Sequence, residues 1–176
     1  MVSQPELHLF ISRRKIAATV NRLASEISRD YHDKNPLLLS ILKGSFMFLA
    51  DLLRELAFPL EIDFITVSSY GAGTETSGNI RLVHEPRCPL EGRHVLVIED
   101  IIDSGLTTSF IRDYAKKQKV ASVKLCALLD KPERRQVHVP IDYLGVKVTN
   151  KFLVGYGLDC AEKYRNLPEV FVLEES

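Results

Sequence analysis

A chain of 176 residues with 45% hydrophobic content can fill one core and hardly two, so a single domain over residues 1–176 is expected. Lysine plus arginine and aspartate plus glutamate both number 23, leaving no field of one sign to draw the chain onto nucleic acid or an anionic membrane. Cys88, Cys126 and Cys160 lack CxxC spacing, which argues against a disulfide framework or structural zinc, and no signal-peptide order or ~20-residue apolar run is present, so the cytoplasm is expected.

Taken in order, Leu9, Phe10 and Ile11 lead to Ser12, a candidate N-cap. Ile16, Val20, Leu23, Ile27 and Tyr31 then recur at helical spacing, predicting an amphipathic helix that stops before Asn35-Pro36. Leu37 to Leu42 is nearly continuously apolar, as suits a strand buried on both faces of a parallel sheet. Lys43-Gly44-Ser45 turns the chain into a helix from Phe46 to Leu56. Leu60 to Ser68 reads as a second strand, and Tyr70 to Asn79, with glycines and no apolar periodicity, as a mobile loop. Strand-like Ile80 to His84 follows; Pro86, Pro89 and Gly92 punctuate the chain before the buried strand Val95 to Ile98. After a polar turn a helix is expected from about Thr108 to Lys119, then strands at Val120 to Leu129 and Tyr143 to Val148, and a last edge strand at Phe171 to Leu173. This alternation predicts an α/β fold, a mainly parallel twisted sheet flanked by helices, with its ligand beyond the carboxyl ends of the strands.

The chemistry concentrates in Val95-Leu96-Val97-Ile98-Glu99-Asp100-Ile101-Ile102-Asp103-Ser104-Gly105-Leu106-Thr107-Thr108. An apolar strand passes through three acids into a small-residue turn and a helix. Ser104 to Thr108 can offer amides, hydroxyls and a helix N-terminus to one anion, a monophosphate cradle. The GxxxxGK[ST] order is absent, which counts against the nucleoside triphosphatase reading. Glu99 and Asp100 would repel a phosphate, so they belong at a ligand's sugar end, on vicinal hydroxyls or magnesium.

This segment resembles the phosphoribosyl-diphosphate signature of the type I phosphoribosyltransferases, and its EDIIDSGLT form that of their hypoxanthine-guanine branch. LKGS at Leu42 to Ser45 resembles the family's diphosphate loop, SSYG at Ser68 to Gly71 its closing flap, LLDKPERR at Leu128 to Arg135 its base-reading strand end, and KFLVGYGLD at Lys151 to Asp159 its purine pocket. The resemblance covers most of the chain. It implies the family fold with a small hood formed by the chain termini, and magnesium-dependent transfer of 5-phosphoribosyl from phosphoribosyl diphosphate to hypoxanthine or guanine, giving IMP or GMP.

It also implies roles for single residues. Glu99 and Asp100 hold the ribose hydroxyls and magnesium, Asp103 accepts the purine N7 proton, and Ser104, Gly105, Leu106 and Thr107 bind the 5-phosphate. Lys43, Gly44 and Arg165 contact the diphosphate, over which Ser69 and Tyr70 close. Lys131 donates to the purine 6-oxygen, Phe152 stacks on the base, the Leu153 backbone meets its other edge, and Asp159 helps place magnesium. Leu106 departs from relatives with lysine at that position, but its amide still faces the anion. A homodimer or homotetramer is implied.

Plainer readings compete. Glu99-Asp100 alone suits a solvated surface, Asp103 a helix N-cap, Lys131 a turn lysine, Phe152 a core aromatic, Ser69-Tyr70-Gly71 a plain loop, and Arg165 a simple partner of Glu162. The five histidines share no ligand spacing. Rival functions are a sensor of phosphoribosyl diphosphate that binds DNA or RNA, for which a neutral chain lacks the basic surface, and a transferase preferring xanthine or another base.

Overall fold

The computed structural model describes residues 5–70 and 79–174. Its larger sheet has six strands in the order β4-β3-β2-β5-β6-β7. These are β2 (Leu37–Leu42), β3 (Glu61–Tyr70), β4 (Asn79–His84), β5 (His94–Ile102), β6 (Ser122–Asp130) and β7 (Tyr143–Lys147). All neighbours pair parallel except β3 with β4, so the antiparallel strand sits at the edge. A second sheet, β1-β9-β8, joins β1 (Glu6–Ile11), β9 (Val170–Glu174) and β8 (Leu153–Val154), the expected hood drawn from both ends of the chain.

The continuous apolar runs are explained by what covers each face. Leu38, Leu96, Ile98, Cys126 and Leu128 pack with α1 (Arg13–Tyr31), α2 (Phe46–Glu55) and the hood. Their alternates Leu37, Leu39, Val95, Val97, Leu125 and Ala127 pack on the other face, with Ile111 of α3 (Leu106–Lys117). Successive side chains of a strand point oppositely, so a sheet covered on both sides needs apolar residues at every position.

α1 forms as its spacing predicts: the Ser12 side chain accepts a hydrogen bond from the Lys15 amide, and Ile16, Val20, Leu23, Ile27 and Tyr31 are buried. Three expectations need correction. Phe171 to Leu173 is no edge strand, since β9 lies between β1 and β8. β5 does not stop at Ile98; its ladder with β6 continues to Ile102 opposite Asp130. α3 starts at Leu106 rather than about Thr108. Ser69 and Tyr70 end β3, their backbones paired with Ile80 and Asn79, while residues 71–78 of the expected loop lie outside the described residues. Among the described residues, no helix is long and apolar enough to cross a membrane.

Candidate active site

Because β5 runs to Ile102, Glu99 and Asp100 lie inside the sheet and not in a solvated turn: they are 6% and 9% exposed. Burial, then the neighbouring Asp100 charge, pushes the Glu99 carboxyl well above its ordinary range, and burial raises Asp100 as well. Glu99 Oε2 is buried without a hydrogen-bond partner. A buried acid pair of this kind calls for a cation or for hydroxyl donors, so the solvated-surface reading fails.

The turn that follows is built from backbone. Gly105 takes the N-cap position of α3 at φ 83°, a left-handed conformation that suits glycine, and no side chain caps the helix. Asp103 is therefore not the N-cap. The Leu106 amide donates to Ser104 Oγ at 3.3 Å, and Glu99, Asp103, Ser104, Gly105, Thr107 and Thr108 surround a hollow of about 100 Å³. Its size and its helix N-terminus match one phosphate group.

A second cavity, about 230 Å³, adjoins it. Asp100, Asp103, Lys131, Phe152, Leu153 and Asp159 line it, which brings together residues from β5, the end of β6 and the segment entering the hood. Lys131 is 6% exposed; burial lowers its pKa, opposed by the negative charge of Asp103. Its amide donates to Ile102 O at 2.9 Å, fixing it beside the end of β5. An ordinary turn lysine would stand in solvent. Phe152 is the reverse case: it is 54% exposed and lines the same cavity. The Phe152 carbonyl accepts from the Leu173 amide at 2.9 Å, so the hood holds this open ring in place, while Leu153 is buried in β8. A roomier hollow of about 380 Å³ lies between α1 and α2, but there Tyr156 already donates to Asp51 at 2.6 Å.

The third part of the site is tightly stacked. The Leu42–Lys43 peptide is cis. A Cβ on Gly44 would lie 2.0 Å from Asp100 Oδ2, and one on Gly157 would lie 2.0 Å from Gly44 O. Nearby, Lys43 Nζ meets Glu162 Oε2 at 3.0 Å, and Arg165 Nη2 meets Asp159 Oδ1 at 2.8 Å and Glu162 Oε2 at 3.4 Å. The hydrogen bond from Lys43 is the main cause holding the Glu162 carboxyl below its ordinary range. Lys43 and Arg165 thus converge, and the pairing of Arg165 with Glu162 accompanies this arrangement instead of replacing it.

Glu99, Asp100 and Asp159, expected to hold magnesium, are engaged differently. Among the described residues no three His, Cys, Asp or Glu side chains converge on one point, so Glu99, Asp100 and Asp159 are not a ready-made three-carboxylate site. Asp159 is engaged by Arg165 and by the Glu162 amide at 2.9 Å. Two buried carboxylates, one with an unpartnered oxygen, still fit a hard divalent ion that draws its remaining ligands from substrate oxygens and water.

Arg134 carried no role in the sequence, where it reads as one more charge in a polar run. In the structure its Nε lies 3.3 Å from Asp103 Oδ1, and it forms part of the wall of the 230 Å³ cavity. The signal available was its place within LLDKPERR, directly after a strand end that enters the site.

The chain is similar to known proteins of one family. The model of the phosphoribosyl transferase domain matches residues 11–161. A bifunctional TilS/HprT protein of Listeria monocytogenes is 47% identical over 166 residues, 94% of this chain and 26% of that protein, so the chain spans about a quarter of that relative's length. A hypoxanthine-guanine phosphoribosyltransferase of Streptococcus pyogenes is 41% identical over 175 residues, 99% of this chain and 97% of its own. The crystal structure of a hypoxanthine phosphoribosyltransferase from Staphylococcus aureus superposes with a TM-score of 0.91 at 38% identity, covering 95% of this chain and 91% of that one. With identity sustained across almost the whole chain and a TM-score of 0.91 to a solved relative, the chain belongs to the phosphoribosyltransferase family, in its hypoxanthine-guanine branch.

Proposed function

We propose that the chain transfers the 5-phosphoribosyl group of phosphoribosyl diphosphate to hypoxanthine or guanine, releasing diphosphate and giving IMP or GMP. One observation carries this reading: a buried lysine, an exposed phenylalanine and Asp103 share one cavity that opens beside a backbone anion turn. A purine seated on Phe152 would place its 6-oxygen at Lys131 and its N7 at Asp103. Lysine only donates, so a 6-carbonyl is matched and the 6-amino group of adenine is not.

The reaction moves positive charge onto the anomeric carbon and ring oxygen as diphosphate leaves. Ser104 to Thr107 anchor the phosphate, so the sugar is presented at a fixed distance from the base. Asp103 takes the N7 proton as the new C–N bond forms, assistance worth roughly 10²–10⁴-fold. Lys43 and Arg165 exchange Glu162 and Asp159 for the diphosphate oxygens, replacing carboxylate partners with a more highly charged one. Ser69 and Tyr70 are assigned the closing flap that excludes water. Magnesium would be held by Glu99 and Asp100 together with substrate oxygens, with Asp159 joining when Arg165 releases it, and when bound it neutralises charge on the ribose and diphosphate oxygens.

We further infer that residues 1–176 form one phosphoribosyltransferase domain, act in the cytoplasm and assemble into a homodimer or homotetramer, which light scattering would read. The decisive experiment is a spectrophotometric assay of hypoxanthine, guanine, xanthine and adenine with phosphoribosyl diphosphate and magnesium. Turnover of the first two and rejection of adenine is the expected result; binding of the donor with no turnover of any base would make the chain a sensor.

A further inference from the structure

Behind the phosphate turn lies an ion pair that none of these roles uses. Asp130, the last residue of β6, contacts Arg135 Nη2 through its Oδ1, and the two side chains are 7% and 17% exposed. Losing either partner would leave the other charge buried and uncompensated, so the pair resists separation. Arg135 Nη1 is also buried and has no partner among the described residues.

The position of the pair suggests what it does. The side of Gly105 on which a Cβ would stand is already filled, by Val137 O at 2.8 Å, Arg135 Cδ at 3.0 Å and Val139 Cγ2 at 3.2 Å. The carbonyl of Ser104 accepts from the amides of Gln136 at 2.9 Å and Val137 at 3.1 Å. The back of the anion turn therefore rests on the segment that begins at Arg135. That segment is tied through Asp130 to the strand end whose next residue, Lys131, faces the base cavity. With its charge neutralised by Asp130, Arg135 exerts little net field on the phosphate, so its contribution is geometric.

We propose that Arg135, anchored by Asp130, is a positioning residue that fixes the 5-phosphate turn relative to the base-reading end of β6. This rests on the phosphoribosyl-transfer reading above. It makes Arg135 a determinant of donor binding although its guanidinium lies behind the turn.

The test is steady-state kinetics of the wild type, Arg135→Gln, Arg135→Lys and Asp130→Asn, with calorimetric titration of ribose 5-phosphate into each. Arg135→Gln should raise the KM for phosphoribosyl diphosphate and weaken ribose 5-phosphate binding by on the order of tenfold to a hundredfold, because the turn loses its brace. The KM for the base should stay within about twofold. Asp130→Asn should follow in the same direction, and Arg135→Lys, which keeps stem and charge but loses the fork, should fall between. Donor KM unchanged in folded variants overturns the proposal, and so does an equal rise of both KM values. Loss of folding in all three variants would do the same, because the pair would then be a general stabiliser. The ribose 5-phosphate titration reads the turn directly, so an inactive wild type would remove the transfer reading while leaving Arg135 decidable.

Discussion

The two ends of the site are made differently. The proposed phosphate end comes from one unbroken stretch, Ser104 to Thr108, and its shape is set by backbone: a left-handed glycine, the start of α3, and a Ser104 carbonyl that accepts from the Gln136 and Val137 amides. The base end is assembled from four separate segments, with Asp103 after β5, Lys131 after β6, Phe152 and Leu153 entering the hood, and Asp159 beyond it. A backbone site is fixed once the local fold forms, whereas a side-chain site depends on distant elements meeting. Damage to the first should therefore appear in donor binding and damage to the second in base choice and proton transfer.

The largest expected effect is at the base end. Asp103→Asn keeps the size of the side chain, removes the proposed proton acceptor and loses the ionic part of its contact with Arg134. Turnover should fall by roughly 10²–10⁴-fold while the KM for phosphoribosyl diphosphate moves little, which single-turnover kinetics with saturating donor would read. Unchanged turnover would remove Asp103 from proton transfer. Gly44→Ala attacks the backbone-built corner proposed for diphosphate, since its methyl group would stand 2.0 Å from Asp100 Oδ2. Displacing that loop by a fraction of its width should lower kcat/KM by about 10²-fold for every base alike. A base-dependent loss would show that the corner also shapes the acceptor pocket.

Lys131→Ala sharpens the contrast from the other side. The ratio of kcat/KM for guanine over adenine should drop by roughly 10²-fold, with donor KM preserved, because the donor-only group is gone. A constant ratio would place discrimination elsewhere. The smallest effect belongs far from both ends, where Tyr143 donates to Asp30 Oδ2 at 2.5 Å and Lys124 donates to the same oxygen at 3.0 Å. These bonds, Tyr143 first, hold the Asp30 carboxyl below its ordinary range. The folded pKa is depressed, so this stabilisation is present above the unfolded carboxylate value and fades as pH falls through the folded one. Tyr143→Phe should cost about 1 kcal/mol, move the acid unfolding midpoint to higher pH, and leave the kinetics alone.

The same contrast decides what was legible in the sequence. The strand, turn and helix of the phosphate end are local in the chain, so apolar run, small residues and following helix could be read in order. Even there a boundary slipped: acids usually end a buried strand, and Glu99 and Asp100 do not, because the pairing of β5 with β6 carries the strand past them to Ile102. The periodicity of α1 and its Ser12 cap were equally local and were found. Non-local pairing was harder to read. Nothing in Phe171 to Leu173 says that it will be flanked by β1 on one side and β8 on the other. Arg134 and Arg135 look like solvated charges until the fold brings Asp103 against one and Asp130 against the other. Lys131 and Phe152 were reached through resemblance, and their unusual burial and exposure are properties of the assembled structure alone.

The stacking of Gly157 on the Gly44 carbonyl, and of Gly44 on the Asp100 carboxylate, has a bearing on how such an enzyme can diversify. At that corner three segments touch with no room for a single added carbon, so variation has no raw material to select from. The cavity wall at positions 134 and 152 carries side chains about half exposed, with open space beside them. Mutant libraries seeking new acceptors should therefore yield active variants from those two codons, while the glycine codons return almost none.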